Sequence, residues 1–265
     1  MKRTIKQDWF TNYLYAKGFW VGGTRVNIPN QPNLEVRQTF RYFRANTKDF
    51  LVIYILEFSD KYDDSIDYQF VIKSLQSELI LPTNFTLAIW PQGRPSFGVY
   101  KDGRFQDKLN DEQTLSYFAA FEINIIGKSK NLKPLNRSYT DFFHIWARQH
   151  MRGFQNDIDS FCRKNNEIHM LELKRPKESV STWKPYKADT NNYIQFNQYT
   201  QAVNSKLINI AYSLDEPGKL KLFKDVEVSR SGGLFYKTNL ILMKPEDDLV
   251  GLISNTELFP ETSNR

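Results

Sequence analysis

Between Asn156 and Lys174 the chain reads Asn-Asp-Ile-Asp-Ser-Phe-Cys-Arg-Lys-Asn-Asn-Glu-Ile-His-Met-Leu-Glu-Leu-Lys, and its charged residues recur with a strand-like period. In an extended chain alternate side chains share a face, so Asp157, Asp159 and Phe161 point one way and Ile158, Ser160 and Cys162 the other. Glu172 and Lys174 share the face of Ile168 and Met170, which leaves Leu171 and Leu173 for a core. With Arg163 to Asn166 as a polar turn, the stretch is expected to fold into a hairpin on which Asp159, Glu172 and Lys174 converge. Two carboxylates suit a hard cation. Mg²⁺, with Mn²⁺ as its substitute, needs only one or two protein carboxylates when water and a substrate phosphate complete its shell. Lys174 would stabilise negative charge and orient water for in-line attack, and the reaction implied is phosphodiester hydrolysis.

The elements that must hold this stretch can be read on either side of it. Ile5 to Lys17 has helical apolar spacing and ends at Gly18, and Phe19 to Pro32 reads as short strand and loop. Phe50 to Phe58 is almost continuously apolar and is expected to be a central strand. A helix over Ile66 to Leu79 follows, then strands at Thr86 to Trp90 and Ser96 to Tyr100, a helix at Asp111 to Phe121 and a strand at Glu122 to Ile126. Gly127 to Asn136 is the linker candidate, and it suggests an N-terminal α/β region over 1–130 and a second domain over 137–265. In that second domain, Ser138 would cap a helix running to His150, and a helix from Asn191 to Asn204 precedes strands at Lys206 to Ser213, Lys219 to Val228 and Leu234 to Met243.

Composition narrows the class only broadly. The 265 residues suffice for one large or two modest domains, and a net charge of +6 mildly favours a polyanionic partner. No apolar run approaches the roughly 20 residues that span a bilayer, and an aromatic amphipathic stretch stands where a signal-peptide core would be, so a cytoplasmic protein without membrane contact is expected. The single cysteine, Cys162, excludes an intrachain disulfide and multi-cysteine metal sites, and it is expected to be a small core residue.

The order of an acid, then Glu-Leu-Lys on the neighbouring strand, then a helix and another strand, resembles the PD-(D/E)XK nuclease superfamily over Ser138 to Val228. Gln195-Phe-Asn-Gln-Tyr199 resembles the Gln-x-x-x-Tyr signature of its RecB-like branch. The resemblance implies a restriction-endonuclease-like core, with a central mixed sheet flanked by helices, and gives Asp159, Glu172 and Lys174 the catalytic roles. It assigns Gln195 and Tyr199 to organising the site and contacting DNA. It prefers Asp159 over Asp157 as metal ligand, because its spacing to Glu172 resembles the RecB-like arrangement, and makes His150 a candidate fourth ligand. Asn156 stands where the family name has proline, and the cysteines of the iron–sulfur members are absent. A lone Glu-x-Lys pair is ordinarily a solvent-facing ion pair, so the reading rests on the whole ordered set.

Other basic and aromatic residues suit a nucleic acid. Arg37, Arg41 and Arg44 punctuate an aromatic stretch, and Arg175, Trp183, Lys184, Tyr186 and Lys187 follow the Glu-Leu-Lys strand; each set would pair phosphates and stack bases. The alternatives are a solvated strand face over an aromatic core for the first set and an exposed loop held by its own aromatics for the second. The function expected is therefore a Mg²⁺-dependent DNA endonuclease of restriction or defence, with RNA also open as a substrate and a homodimer or larger assembly compatible with double-strand cutting. A RecB-like repair exonuclease and a non-catalytic nucleic-acid-binding protein of the same fold are the competing readings.

Overall fold

The computed structural model describes residues 8–28, 31–44, 49–121, 123, 141–151, 155–228, 233–254 and 261–262. In chain order the first elements are α1 (Trp9–Ala16), β1 (Trp20–Val21), β2 (Arg25–Ile28), β3 (Gln31–Arg44), β4 (Phe50–Phe58), α2 (Tyr68–Ser77) and β5 (Phe85–Trp90). They are followed by β6 (Ser96–Lys101), β7 (Arg104–Leu109), α3 (Asp111–Ala119), α4 (Phe142–His150), β8 (Gln155–Ile158), β9 (Ser160–Lys164) and β10 (Glu167–Lys174). The last are α5 (Thr190–Ala202), β11 (Ser205–Tyr212), β12 (Lys219–Val228), β13 (Leu234–Leu242), α6 (Leu249–Ser254) and β14 (Glu261–Thr262). Among the described residues, six α-helices and two mixed sheets make this an α/β protein. No described helix is long and apolar enough to cross a membrane.

The chain forms two compact units, one over Gly22–Asp157 and one combining Lys2–Val21 with Ile158–Arg265. The expected linker, Gly127 to Asn136, lies outside the described residues, and the units exchange at Asp157/Ile158. Local sequence does not show that α1 joins the second half. Its apolar face, Phe10, Tyr13 and Leu14, finds its core among residues more than 140 positions away, including Leu171 and Ile210.

The first unit's sheet runs β2-β3-β4-β5-β6-β7, with β8 beside β3. β4 lies between antiparallel β3 and parallel β5, which is why its sequence is apolar on both faces. One face packs Ile53, Ile55, Leu87 and Phe97 against Phe118 of α3 and Phe143 and Trp146 of α4. On the other face Phe58 stacks on Trp90 beside Tyr68 of α2.

The second unit's sheet runs β1-β9-β10-β11-β12-β13-β14. β10 and β11 are parallel, so their connection must cross over, and α5 supplies the crossover. α1 and α6 cover one face through Phe10, Leu14, Leu249 and Val250. The other face buries Trp183, Tyr193, Ala211 and Phe223.

Candidate functional site

The expected hairpin is shorter than its sequence pattern. β9 and β10 pair antiparallel from Glu167↔Lys164 to Leu171↔Ser160, around Asn165 and Asn166, both left-handed at φ 51° and 63°. Two successive positive-φ residues match the twist of flanking strands, and asparagine tolerates that region. The residues before Ser160 do not extend the hairpin, because β8 pairs with β3 of the other sheet. Asp159 is the residue between the two strands, and its Oδ2 accepts the Leu173 N–H at 2.7 Å. The carboxylate thus satisfies a β10 donor where the β9 ladder has stopped.

That bond holds Asp159 against the segment that carries Glu172 and Lys174. The Lys174 ammonium donates to Glu172 Oε1 at 2.7 Å, with side chains 24% and 17% exposed. Burial works to lower the Lys174 pKa, but the Glu172 charge and hydrogen bond, with Asp159 and Tyr193 adding, raise it well above the ordinary lysine value. The lysine is therefore a fixed cation. Both Asp159 and Glu172 act on it electrostatically, so the expected trio is brought together in the second unit.

Two further residues beside this trio escape sequence reasoning, and Gln195 on α5 is buried. Asn209 of β11 is the register partner of Glu172, 1% exposed, and its Oδ1 has no hydrogen-bond partner among the described residues. Tyr193 of α5 is buried beside Lys174; burial pushes its phenol up to about 12 while Lys174 and a hydrogen bond to the Tyr186 backbone pull it down. Gln195, 7% exposed, has an unpartnered Oε1. An orphaned buried acceptor costs about 1–3 kcal/mol. The available sequence signal for Asn209 was a lone amide inside the apolar run Leu-Ile-Asn-Ile-Ala.

Other expected site residues fall elsewhere. Tyr199 is fully buried and cannot reach a nucleic acid; it packs the interior of α5. Trp183 is 1% exposed and meets Phe223 edge-on at 5.1 Å, so it is a core residue and not a clamp. Lys184, Tyr186 and Lys187 are exposed, and the Tyr186 hydroxyl donates to Glu178 at 2.9 Å. Arg175 lies 3.7 Å from Asp8, the N-cap of α1.

In the first unit, Arg41 is 1% exposed and pairs with Asp141 at 3.1 Å, which removes it from any nucleic-acid surface. Arg37 is partly buried, 3.9 Å from the same carboxylate, and Arg44 closes the β3–β4 pairing opposite Phe50. Asp141, not Ser138, caps α4, accepting the His144 N–H at 2.6 Å; Ser138 lies outside the described residues. His150 also belongs to this unit, its ring 5.4 Å from that of Trp146, and Asp157 is exposed at its boundary. Glu57 accepts the Phe142 and Phe143 N–H groups at 3.3 and 2.7 Å. A single acid in the otherwise apolar Phe50–Phe58 strand was the signal for this buried cluster.

No family model matches the chain, and no curated protein matches it. Among solved structures, one titled as a putative phenazine biosynthesis PhzC/PhzF protein from Clostridium difficile (strain 630) aligns with 71% of this chain and 73% of its own, at 11% identity and a TM-score of 0.22. A likeness that faint transfers neither fold nor activity. These findings correct the sequence reading: membership of the PD-(D/E)XK superfamily has no support from any family model or relative. The DNA endonuclease, restriction and repair readings are withdrawn with it. Among the described residues no group of three or more His, Cys, Asp and Glu side chains is placed to hold a metal ion.

Proposed function

We propose that the second unit is a hydrolase of phosphate esters assisted by a divalent cation, with its site at Asp159, Glu172 and Lys174. The observation that carries this reading is the 2.7 Å contact between Lys174 and Glu172 on a largely buried strand, with Asp159 tied to the peptide between them.

The donor set fits Mg²⁺ or Mn²⁺. Asp159 and Glu172 are hard oxygen donors, and a cation that keeps several waters needs no third protein ligand. When bound, such a cation supplies Lewis-acid polarisation of a phosphoryl oxygen. Lys174, fixed as a cation by Glu172, neutralises charge that develops on the phosphoryl group. Asn209 gives the site a buried acceptor that a polar guest can satisfy. The restriction-endonuclease-like form of the core has no support here beyond the acid–lysine motif and plays no part in the reading.

The test is a Mn²⁺ titration followed by electron paramagnetic resonance in wild type, Glu172→Ala and Asp159→Ala. Saturable binding in the wild type, weakened about tenfold or more in both variants, supports the site. Equal binding in all three proteins would remove the cation from it.

A further inference from the structure

Toward the start of β10 and β11 the second unit holds a polar cavity of about 450 Å³, within the usual range for small-molecule sites. His169 lines it from β10, three residues before Glu172, hence on the opposite face of the strand and roughly 10 Å along it. The imidazole is 2% exposed, its Nδ1 has no hydrogen-bond partner among the described residues, and its Nε2 lies 3.8 Å from Glu167, beyond hydrogen-bonding range. Leaving a buried ring in that state costs stability unless a guest completes it. Burial holds the His169 pKa below its ordinary value, with Glu167 opposing and Lys206, Lys164 and Lys224 adding, so the ring is neutral near pH 7. A neutral imidazole has one N–H donor and one acceptor nitrogen. A hydroxyl, which both donates and accepts, satisfies Nδ1 in either tautomer.

The rest of the lining selects against a charged guest. Its ionic side chains are Lys206, Lys224, Asp225 and Glu227, equal in number for the two signs; Lys206 donates to Glu167 at 2.7 Å and Asp225 lies 3.5 Å from Lys237. An anion or a cation would meet like and unlike charge together and gain no net attraction. The neutral polar groups are instead set to accept. The Thr200 hydroxyl donates to the Asn197 carbonyl at 2.9 Å, the Ser205 hydroxyl to the Thr200 carbonyl at 3.3 Å, and the Asn197 side-chain amide to the Val226 carbonyl at 2.6 Å. With those protons used inside the protein, the side-chain oxygens of these three lining residues are left as acceptors. Ile208 and Ile253 add an apolar part to the same cavity. An uncharged guest with several donating hydroxyls on a carbon frame meets all of these conditions.

We propose that this cavity binds an uncharged monosaccharide, with one hydroxyl on His169 Nδ1 and others donating to the side-chain oxygens of Asn197, Thr200 and Ser205. The proposal is independent of the hydrolase reading, since none of these residues belongs to the acid–lysine trio. The probes are D-glucose, D-galactose, D-mannose and D-ribose, titrated calorimetrically, each beside its phosphate ester and, for the hexoses, its 2-amino derivative. The histidine rings are followed by NMR in the same titrations. At least one neutral sugar should saturate, bind at least about tenfold more tightly than its charged derivatives, and move the His169 ring resonances while those of His144 and His150 stay in place. His169→Phe, which keeps a ring without its nitrogens, should lose about tenfold or more, and Lys174→Ala should bind as wild type. The wild-type ring resonances decide even where His169→Phe does not fold. Absence of saturation by all four sugars, a charged derivative binding as tightly as its parent, saturation without movement of the His169 ring, full affinity in folded His169→Phe protein, or loss on Lys174→Ala would each overturn it.

Discussion

The Lys174 ammonium meets the Glu172 carboxylate at 2.7 Å on one face of β10, and the peptide N–H between them is bound by Asp159. The chain has thereby placed two negative charges and one positive charge around three consecutive residues of a strand whose other face is core. Because each member conditions the next, the pair should behave as a unit under mutation.

Lys174→Ala leaves Glu172 with its counter-charge gone in a mostly buried position, at a cost of about 1–3 kcal/mol. Glu172→Ala/Lys174→Ala should be more stable than Lys174→Ala alone. Urea unfolding of the four proteins measures the coupling, and additive single and double variants would show that the ion pair is energetically idle.

Trp183 distinguishes a core role from a surface one. Its ring is enclosed by Phe223 and Tyr186, so Trp183→Ala should cost about 3–5 kcal/mol. Lys184→Ala, one residue on and exposed, should change stability by less than about 0.5 kcal/mol. Thermal unfolding of the two variants checks the contrast.

Glu57 gives a pH dependence with a defined sign. Burial first, and the charge of Asp141 second, push its carboxyl up to about 7, against backbone hydrogen bonds and Arg37 that lower it. Between the ordinary glutamate value and about 7 the folded state holds a proton that the unfolded state has released, so this group's contribution to stability rises as pH falls through that window. His144, whose pKa is lowered chiefly by burial, acts in the opposite direction, but equally in wild type and Glu57→Gln. The stability of wild type relative to Glu57→Gln should therefore increase from pH 8 to pH 5, by on the order of 3 kcal/mol at most. A flat or falling difference would mean that Glu57 is ionised throughout.

Cys162 should resist modification. It is buried in the α1/α6 core, and burial pushes its thiol up to about 11. Labelling by an aromatic disulfide at pH 8 should be slow in the native protein and rapid in urea; fast native labelling would show that this face opens readily.

What could be read from sequence was what depends on neighbours in the chain. The apolar run of β4, the caps and spacing of α2 and α3, and the shared face of Glu172 and Lys174 follow from periods of two and 3.6 residues. What could not be read depends on partners far along the chain. Arg41 looks like a surface cation until Asp141, 100 residues later, is brought beside it. Trp183 sits in a loop without periodicity, so nothing local marks it as core. Asp159 fits the alternation of a hairpin strand, yet β8 finds a better edge on β3 and leaves Asp159 to bond β10 through its side chain instead.

The central claim, phosphate-ester hydrolysis at the acid–lysine trio, is tested most directly by release of p-nitrophenol from bis(p-nitrophenyl) phosphate and p-nitrophenyl phosphate in Mg²⁺ or Mn²⁺. Cation-dependent turnover of at least one substrate by the wild type, reduced about 100-fold or more in folded Lys174→Ala and Glu172→Gln, is the predicted result. No turnover by the folded wild type, or full turnover in either variant, would contradict it.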